Sequence, residues 1–193
     1  FGSDLKEIFI NIAKAMFDII AEPCKACDAI KLKNFDIKIE AQDRLAYRPD
    51  LIILTTKTQD IEIALKENKK LIQDAFILTT QNGIQADNIV AKYIPKDKII
   101  SSIVMFGSTY LEPAKIVHNF EGSWIIGKIF DKNDEIVVKI GQVLDKIFPT
   151  LVTEDIRGMK YLKIFINANN AIPAILGVSM QEAFSDIEIS QIS

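Results

Sequence analysis

Lys163, Asn167 and Asn170 sit at i, i+4 and i+7 in the stretch GMKYLKIFINANNAIP, Gly158 to Pro173. On a helix turning about 100° per residue, one ammonium and two carboxamides share a narrow stripe, with Lys160 at its border. A cation beside groups that both donate and accept is what a catalytic surface requires. Tyr161, Leu162, Ile164, Phe165, Ile166, Ala168, Ala171 and Ile172 cover the rest of the circumference, which predicts a helix buried on most sides. The stripe then has two readings: an ordinary solvated face, or the polar lining of a cleft.

Two further groups of polar residues follow apolar runs. Thr55-Thr56-Lys57 comes after LIIL, and Thr79-Thr80-Gln81-Asn82-Gly83 after FIL. Lys57 provides a cation, and Asn82 a donor and acceptor beside a glycine that lets a ligand approach the backbone. In a doubly wound sheet, ligands bind outside the carboxyl ends of the strands, where both groups would fall. Phe1-Gly2-Ser3-Asp4-Leu5 precedes a helical pattern, the junction at which a dinucleotide's pyrophosphate would sit.

These residues need elements to position them. Leu5, Ile8, Phe9, Ile12, Ala13 and Met16 specify an amphipathic helix over 3–16, followed by a strand at Phe17–Ala21 that Pro23 ends. A short helix is expected around Asp28 to Lys33 and a strand at Phe35–Ile39. DLIILTT reads as a parallel strand covered on both faces, 58–72 as helix, Ala75–Thr80 as a strand, 84–94 as helix and Lys98–Phe106 as a strand. IVHNF and SWIIGKI, separated by Glu121-Gly122, predict a hairpin that extends the sheet. Helix is expected over 133–147, an edge strand at Leu151–Thr153, and helical spacing from Glu154 onward. The alternation specifies an α/β fold with an open, mostly parallel sheet, and a domain boundary close to Thr153.

The chain has 193 residues, 49% of them hydrophobic, ample for a core. A formal net charge of -3 and a pI near 5.3, without a basic block, give no support to a nucleic-acid or anionic-membrane partner. No apolar run reaches the roughly 18 residues of a membrane span, and the first residues lack a signal pattern; a cytoplasmic protein is expected. Cys24 and Cys27 are too few for a disulfide scaffold. Their CxxC spacing leaves a redox pair as a secondary reading. No metal site is expected, because the only histidine, His118, lies on a distant strand.

FGSDLKEIFINIAKAMFDI, DLIILTTKT, TTQNGI, IVHNFEGSWIIG and KYLKIFINANNAIPAILG occur in the order and spacing of the ketopantoate reductase (2-dehydropantoate 2-reductase) family, which the chain resembles over almost its whole length. The resemblance implies a Rossmann-type domain over 1–153, followed at 154–193 by the start of an all-helical domain for substrate binding and dimerisation. It implies NADPH-dependent reduction of a 2-keto acid, 2-dehydropantoate to pantoate, by a homodimer. By position, Lys163 would be the catalytic lysine, polarising and protonating the ketone oxygen. Asn167 and Asn170 would bind substrate, Asn170 standing in for an asparagine whose usual place holds Ala171. Lys57 and Asn82 would line the cofactor and the reaction centre, with Gly2, Ser3 and Lys25 also at the cofactor.

The chain departs from the family pattern in three places. It starts just inside the glycine motif, with Gly2 at the second glycine and Leu5 where the third is expected, and it stops before the serine and glutamate that complete the family's substrate site. A fragment is therefore expected. Glu22, about 20 residues after Gly2, is placed for a ribose hydroxyl and NADH, whereas Lys25 is placed for a 2′-phosphate and NADPH; the resemblance favours NADPH. The competing readings are a nucleotide-binding protein that no longer catalyses, and an oxidoreductase acting on another 2-keto or imino acid.

Overall fold

The computed structural model describes residues 30–32, 35–37, 49–112 and 115–185. The expected first helix and strand, Gly2, Ser3, Leu5, Glu22, Lys25 and the cysteine pair lie outside them. Ile30–Leu32 (β1) and Phe35–Ile37 (β2) pair antiparallel, with Leu32 opposite Phe35. The helix expected at 28–33 is thus a strand where it is described. A single helical turn is costly to nucleate, whereas pairing of two strands gives the backbone groups partners at once.

Leu51–Leu54 (β3), Phe76–Thr79 (β4) and Ile99–Val104 (β5) run parallel, as their apolar runs demand. Gly107–Glu112 (β6) and Lys115–Phe120 (β7) pair antiparallel with each other in a separate sheet. Trp124–Lys128 (β8) joins β5 antiparallel, and Thr150–Val152 (β9) lies parallel to β8. The main sheet has the order β3-β4-β5-β8-β9. IVHNF and SWIIGKI therefore do not pair with each other, contrary to expectation. All five residues of β8 are buried, so this strand goes to the sheet interior beside β5, and β7 takes the preceding segment as its partner.

Helices cover both faces. Ile61–Glu67 (α1) and Lys69–Ile72 (α2) replace the single helix expected there. They part at Asn68, whose Nδ2 donates to the Ala64 carbonyl at 2.8 Å and competes with the helix backbone. With Ala86–Val90 (α3) they bury Ile61, Leu65, Ile72, Ala86 and Val90 against Leu54, Ile77 and Ile99. On the opposite face, Val137, Ile140 and Leu144 of Glu135–Leu144 (α4) pack on Leu51, Ile53, Leu78, Ile100, Trp124 and Ile126. Each such side chain contributes roughly 1.5–3 kcal/mol on burial. Asp134 starts α4 by accepting from the Ile136 and Val137 N–H groups, both at 3.1 Å.

Ile156–Ala168 (α5) follows β9 directly and lies on the same face as α3, its Ile156 packed with Ile103 and Ile125. Asp155 caps it, accepting from the Gly158 N–H at 2.9 Å. Gly127 of β8 makes room for this start: a Cβ there would lie 2.4 Å from the Thr153 carbonyl oxygen and 3.2 Å from the Ile156 Cβ. Ala171–Leu176 (α6), ended by left-handed Gly177, and Met180–Ser185 (α7) complete the described chain.

Candidate active site at the strand ends

The ends of β3 and β4 are held together by side chains. Leu54 is opposite Thr79 in the ladder, so Lys57 and Asn82 each stand three residues beyond paired positions. Past the ladder, Gln81 turns inward. Its Nε2 donates to the carbonyls of Leu54 and Thr56, both at 2.8 Å, and its Oε1 accepts from the Thr80 N–H at 3.2 Å. Thr80 Oγ1 adds a bond to the Leu54 carbonyl at 2.9 Å. The brace leaves Lys57 and Asn82 exposed at adjacent tips. The expected turn follows, with Gly83 at φ 82, a conformation that glycine adopts without strain.

Two features test whether these tips suit a nucleotide. Thr56 Oγ1 is buried and has no hydrogen-bond partner among the described residues, although buried hydroxyls are ordinarily satisfied. A Cβ placed on Gly83 would meet nothing within 4 Å. An unspent hydroxyl, open space at a glycine and the Lys57 cation fit the polar edge and phosphates of a dinucleotide.

Beneath the tips lies a buried polar network. Asp87 of α3 is wholly buried, and its Oδ1 accepts from Thr79 Oγ1 at 2.6 Å and its Oδ2 from Ser101 Oγ at 3.0 Å. Lys160 of α5, 2% exposed, donates from Nζ to the same Oδ2 at 2.7 Å. On the other side of the strands, Trp124 Nε1 donates to Ser102 Oγ at 2.9 Å, which donates to the Thr79 carbonyl at 2.7 Å. Thr79 thus belongs to both chains of bonds.

Ile156, Lys160, Lys163 and Asn167 share one face of α5 within an arc of about 60°. Ile156 and Lys160 are buried on the sheet, and Lys163 and Asn167, further along the same face, are half-buried. The polar stripe is therefore the inward side of this helix. The apolar surround expected to be buried is instead open: Tyr161, Leu162, Ile164, Phe165 and Ile166 are exposed, Phe165 to 76%, because no described element covers that side. Asn170 lies past the end of α5 and is exposed. His118 is an exposed residue of β7 whose ring meets Phe106 and Phe148 edge-on, and Trp124 is in the core.

Gln81, Asp87 and Lys160 carry this arrangement; spacing places only Lys160, at the border of the polar stripe, and gives none of the three its role. The available signal is a charge on an apolar helix face, Asp87 between Ala86 and Val90 and Lys160 a turn after Ile156. A shallow depression lined by Lys128, Asp131, Glu154 and Arg157 lies at the far end of β8, where Lys128 is engaged by Asp134 at 2.5 Å. Among the described residues no helix is long and apolar enough to cross a membrane, and no group of acidic, histidine or cysteine side chains could hold a metal ion.

Comparison with known proteins agrees with this geometry. A 2-dehydropantoate 2-reductase of Pyrococcus horikoshii is 32% identical over 150 residues, covering 76% of this chain and 49% of that protein. The chain spans about half the length of the curated relatives it matches. The crystal structure of 2-dehydropantoate 2-reductase from Geobacter metallireducens superposes with a TM-score of 0.74 at 17% identity, over 95% of this chain and 67% of that one, a likeness of fold. D-mandelate dehydrogenase, solved as a complex with NADH, gives a TM-score of 0.68 at 25% identity, over 75% of this chain and 49% of that one. The family model for ketopantoate reductase PanE/ApbA matches residues 24–130, and with the braced strand ends and the Rossmann-type sheet this establishes that the chain belongs to the ketopantoate reductase family.

Proposed function

We propose that this chain carries the cofactor-binding and proton-donating parts of an NADPH-dependent 2-keto acid reductase that converts 2-dehydropantoate to pantoate. The observation that carries the reading is the half-buried stripe of Lys163 and Asn167, on the side of α5 that is docked through Lys160 onto the helix following the Asn82 turn. The relatives named 2-dehydropantoate 2-reductase support the substrate. NADPH over NADH rests on the family resemblance, in which the sequence positions of Lys25, and of Gly2 and Ser3, are those expected to meet a 2′-phosphate and the pyrophosphate.

When bound, the reduced nicotinamide supplies the hydride that the keto carbon accepts. Lys163 donates a hydrogen bond to the keto oxygen and passes it a proton as negative charge develops there. Asn167 and Asn170 orient the substrate's hydroxyl and carboxylate, each amide offering both a donor and an acceptor. Asn82 holds the substrate against the cofactor from the other side, and Lys57 neutralises cofactor charge. We place the domain boundary at Thr153, just after β9, with 1–153 binding dinucleotide and 154–193 opening a helical domain. The open apolar side of α5 and α6, with Ile175 82% exposed, supports pairing of two copies there, and cytoplasmic residence suits a soluble cofactor.

The test is consumption of NADPH with 2-dehydropantoate, in a preparation that includes whatever residues flank this chain in the natural protein. Lys163→Ala is expected to lower kcat by about 10²–10⁴-fold. Turnover within a few-fold of the parent removes Lys163 from its role.

A further inference from the structure

We infer that the Lys160–Asp87 pair is a positioning device that sets the register between the helix bearing Lys163 and the turn bearing Asn82. The inference rests on the reductase reading for its catalytic consequence, though not for its geometry. Asp87 lies five residues after Asn82 and Lys160 three before Lys163, so each member of the pair stands about one turn of chain from a proposed active group. The two are separated by 73 residues in sequence and meet at 2.7 Å, both shielded from water.

Three properties make this pair a pin rather than general cement. The carboxylate is anchored, Asp87 being held by Thr79 Oγ1 and Ser101 Oγ at the centre of the sheet, so it cannot swing to follow a displaced lysine. The bond is directional, whereas the apolar contacts of Ile156 with Ile103 and Ile125 tolerate sliding and rotation of α5. Finally, burying two charges adds little net stability compared with apolar side chains of similar volume, while fixing a register is the best-attested use of such a pair. Lys163 and Asn167 continue the face from which Lys160 reaches inward, so a rotation of α5 about its axis would swing them from the sheet side toward solvent.

The experiment compares the parent with Asp87→Asn/Lys160→Met, which removes both charges together and leaves neither buried alone. In the active preparation, kcat is expected to fall on the order of 10- to 100-fold, the scale of a misplacement of about 1 Å. NADPH affinity by fluorescence titration should stay within about twofold, and Asp87→Glu/Lys160→Arg, which rebuilds an ion pair, should recover part of the rate. A folded double variant with parental kcat overturns the inference. Should that variant not fold, Asp87→Asn/Lys160→Gln, which can form a neutral hydrogen bond at the same place, reads the same split with the same two outcomes. A second arm does not depend on turnover: spin labels at exposed Gln85 and Leu162, with Cys24 and Cys27 replaced, report the separation of the turn from α5. A narrow distance distribution in the parent that shifts or broadens in the double variant supports the pin, and an unchanged distribution overturns it. Absence of turnover in the parent itself would instead reject the reductase reading and leave the distance arm to decide.

Discussion

Replacing Gln81 by leucine tests whether the brace across the strand ends holds the cofactor side of the site. Leucine nearly conserves the volume, so the change is confined to hydrogen bonding. The parent amide donates to two carbonyls at 2.8 Å and accepts one N–H at 3.2 Å, with the residue 8% exposed. Leu54 O keeps a second donor in Thr80 Oγ1, so it is not orphaned, whereas Thr56 O loses the donor that Gln81 supplies. Counting about 1 kcal/mol for each lost bond and about 1 more for the poorly compensated carbonyl gives a loss of roughly 2–4 kcal/mol. For a chain of this size that lowers Tm by about 4–16 °C in thermal denaturation followed by circular dichroism. Because Lys57 and Asn82 ride on the braced segments, affinity for the proposed nicotinamide cofactor should weaken by more than tenfold even well below the melting range. A Gln81→Leu protein that melts within about 1 °C of the parent and binds the proposed nicotinamide cofactor equally well would show that the bonds past the ladder are incidental.

Two other perturbations test how the surrounding frame is held. Burial raises the proton affinity of Asp134, but the Lys128 ammonium and the Val137 and Ile136 N–H groups together outweigh it and hold the carboxyl below its ordinary 3.8. A depressed value contributes stability above the unfolded pKa of about 3.9 that disappears as pH falls through the folded one. The Tm gap between parent and Asp134→Asn should therefore be constant from neutral pH to about pH 5 and close below about pH 4; a gap that widens in acid refutes the assignment. Gly127→Ala places a methyl 2.4 Å from the Thr153 carbonyl oxygen, and the overpacking should cost about 1–3 kcal/mol, read as a Tm lower by about 2–12 °C; a parental Tm would mean that the β8–β9 approach is looser than described.

The parallel strands were legible because burial on both faces leaves few polar positions, Thr79 being the one in LIIL and FILT. Helix α4 was legible from the spacing of Val137, Ile140 and Leu144. The hairpin assignment failed because neighbours in sequence compete with neighbours in burial: the buried Trp124–Lys128 segment pairs with the buried strand β5 and not with β7. The stripe of Lys163 and Asn167 was visible in the periodicity, but what fixes its direction is an ion pair spanning 73 residues, which no local pattern reports. The open side of α5 reads as core in the sequence for the same reason. Apolar composition says that a surface prefers cover and not which element provides it.

Trp124 is the chain's one tryptophan, and it starts β8 beside the end of the central strand β5, with its indole N–H tied through Ser102 to the backbone of Thr79. Its ultraviolet emission is consequently an intrinsic optical gauge linked through Ser102 to Thr79, which lies two residues before the Gln81 clamp. Dry and hydrogen-bonded, the ring should emit toward the blue, and a red shift during denaturation would time the opening of the sheet centre without any added dye.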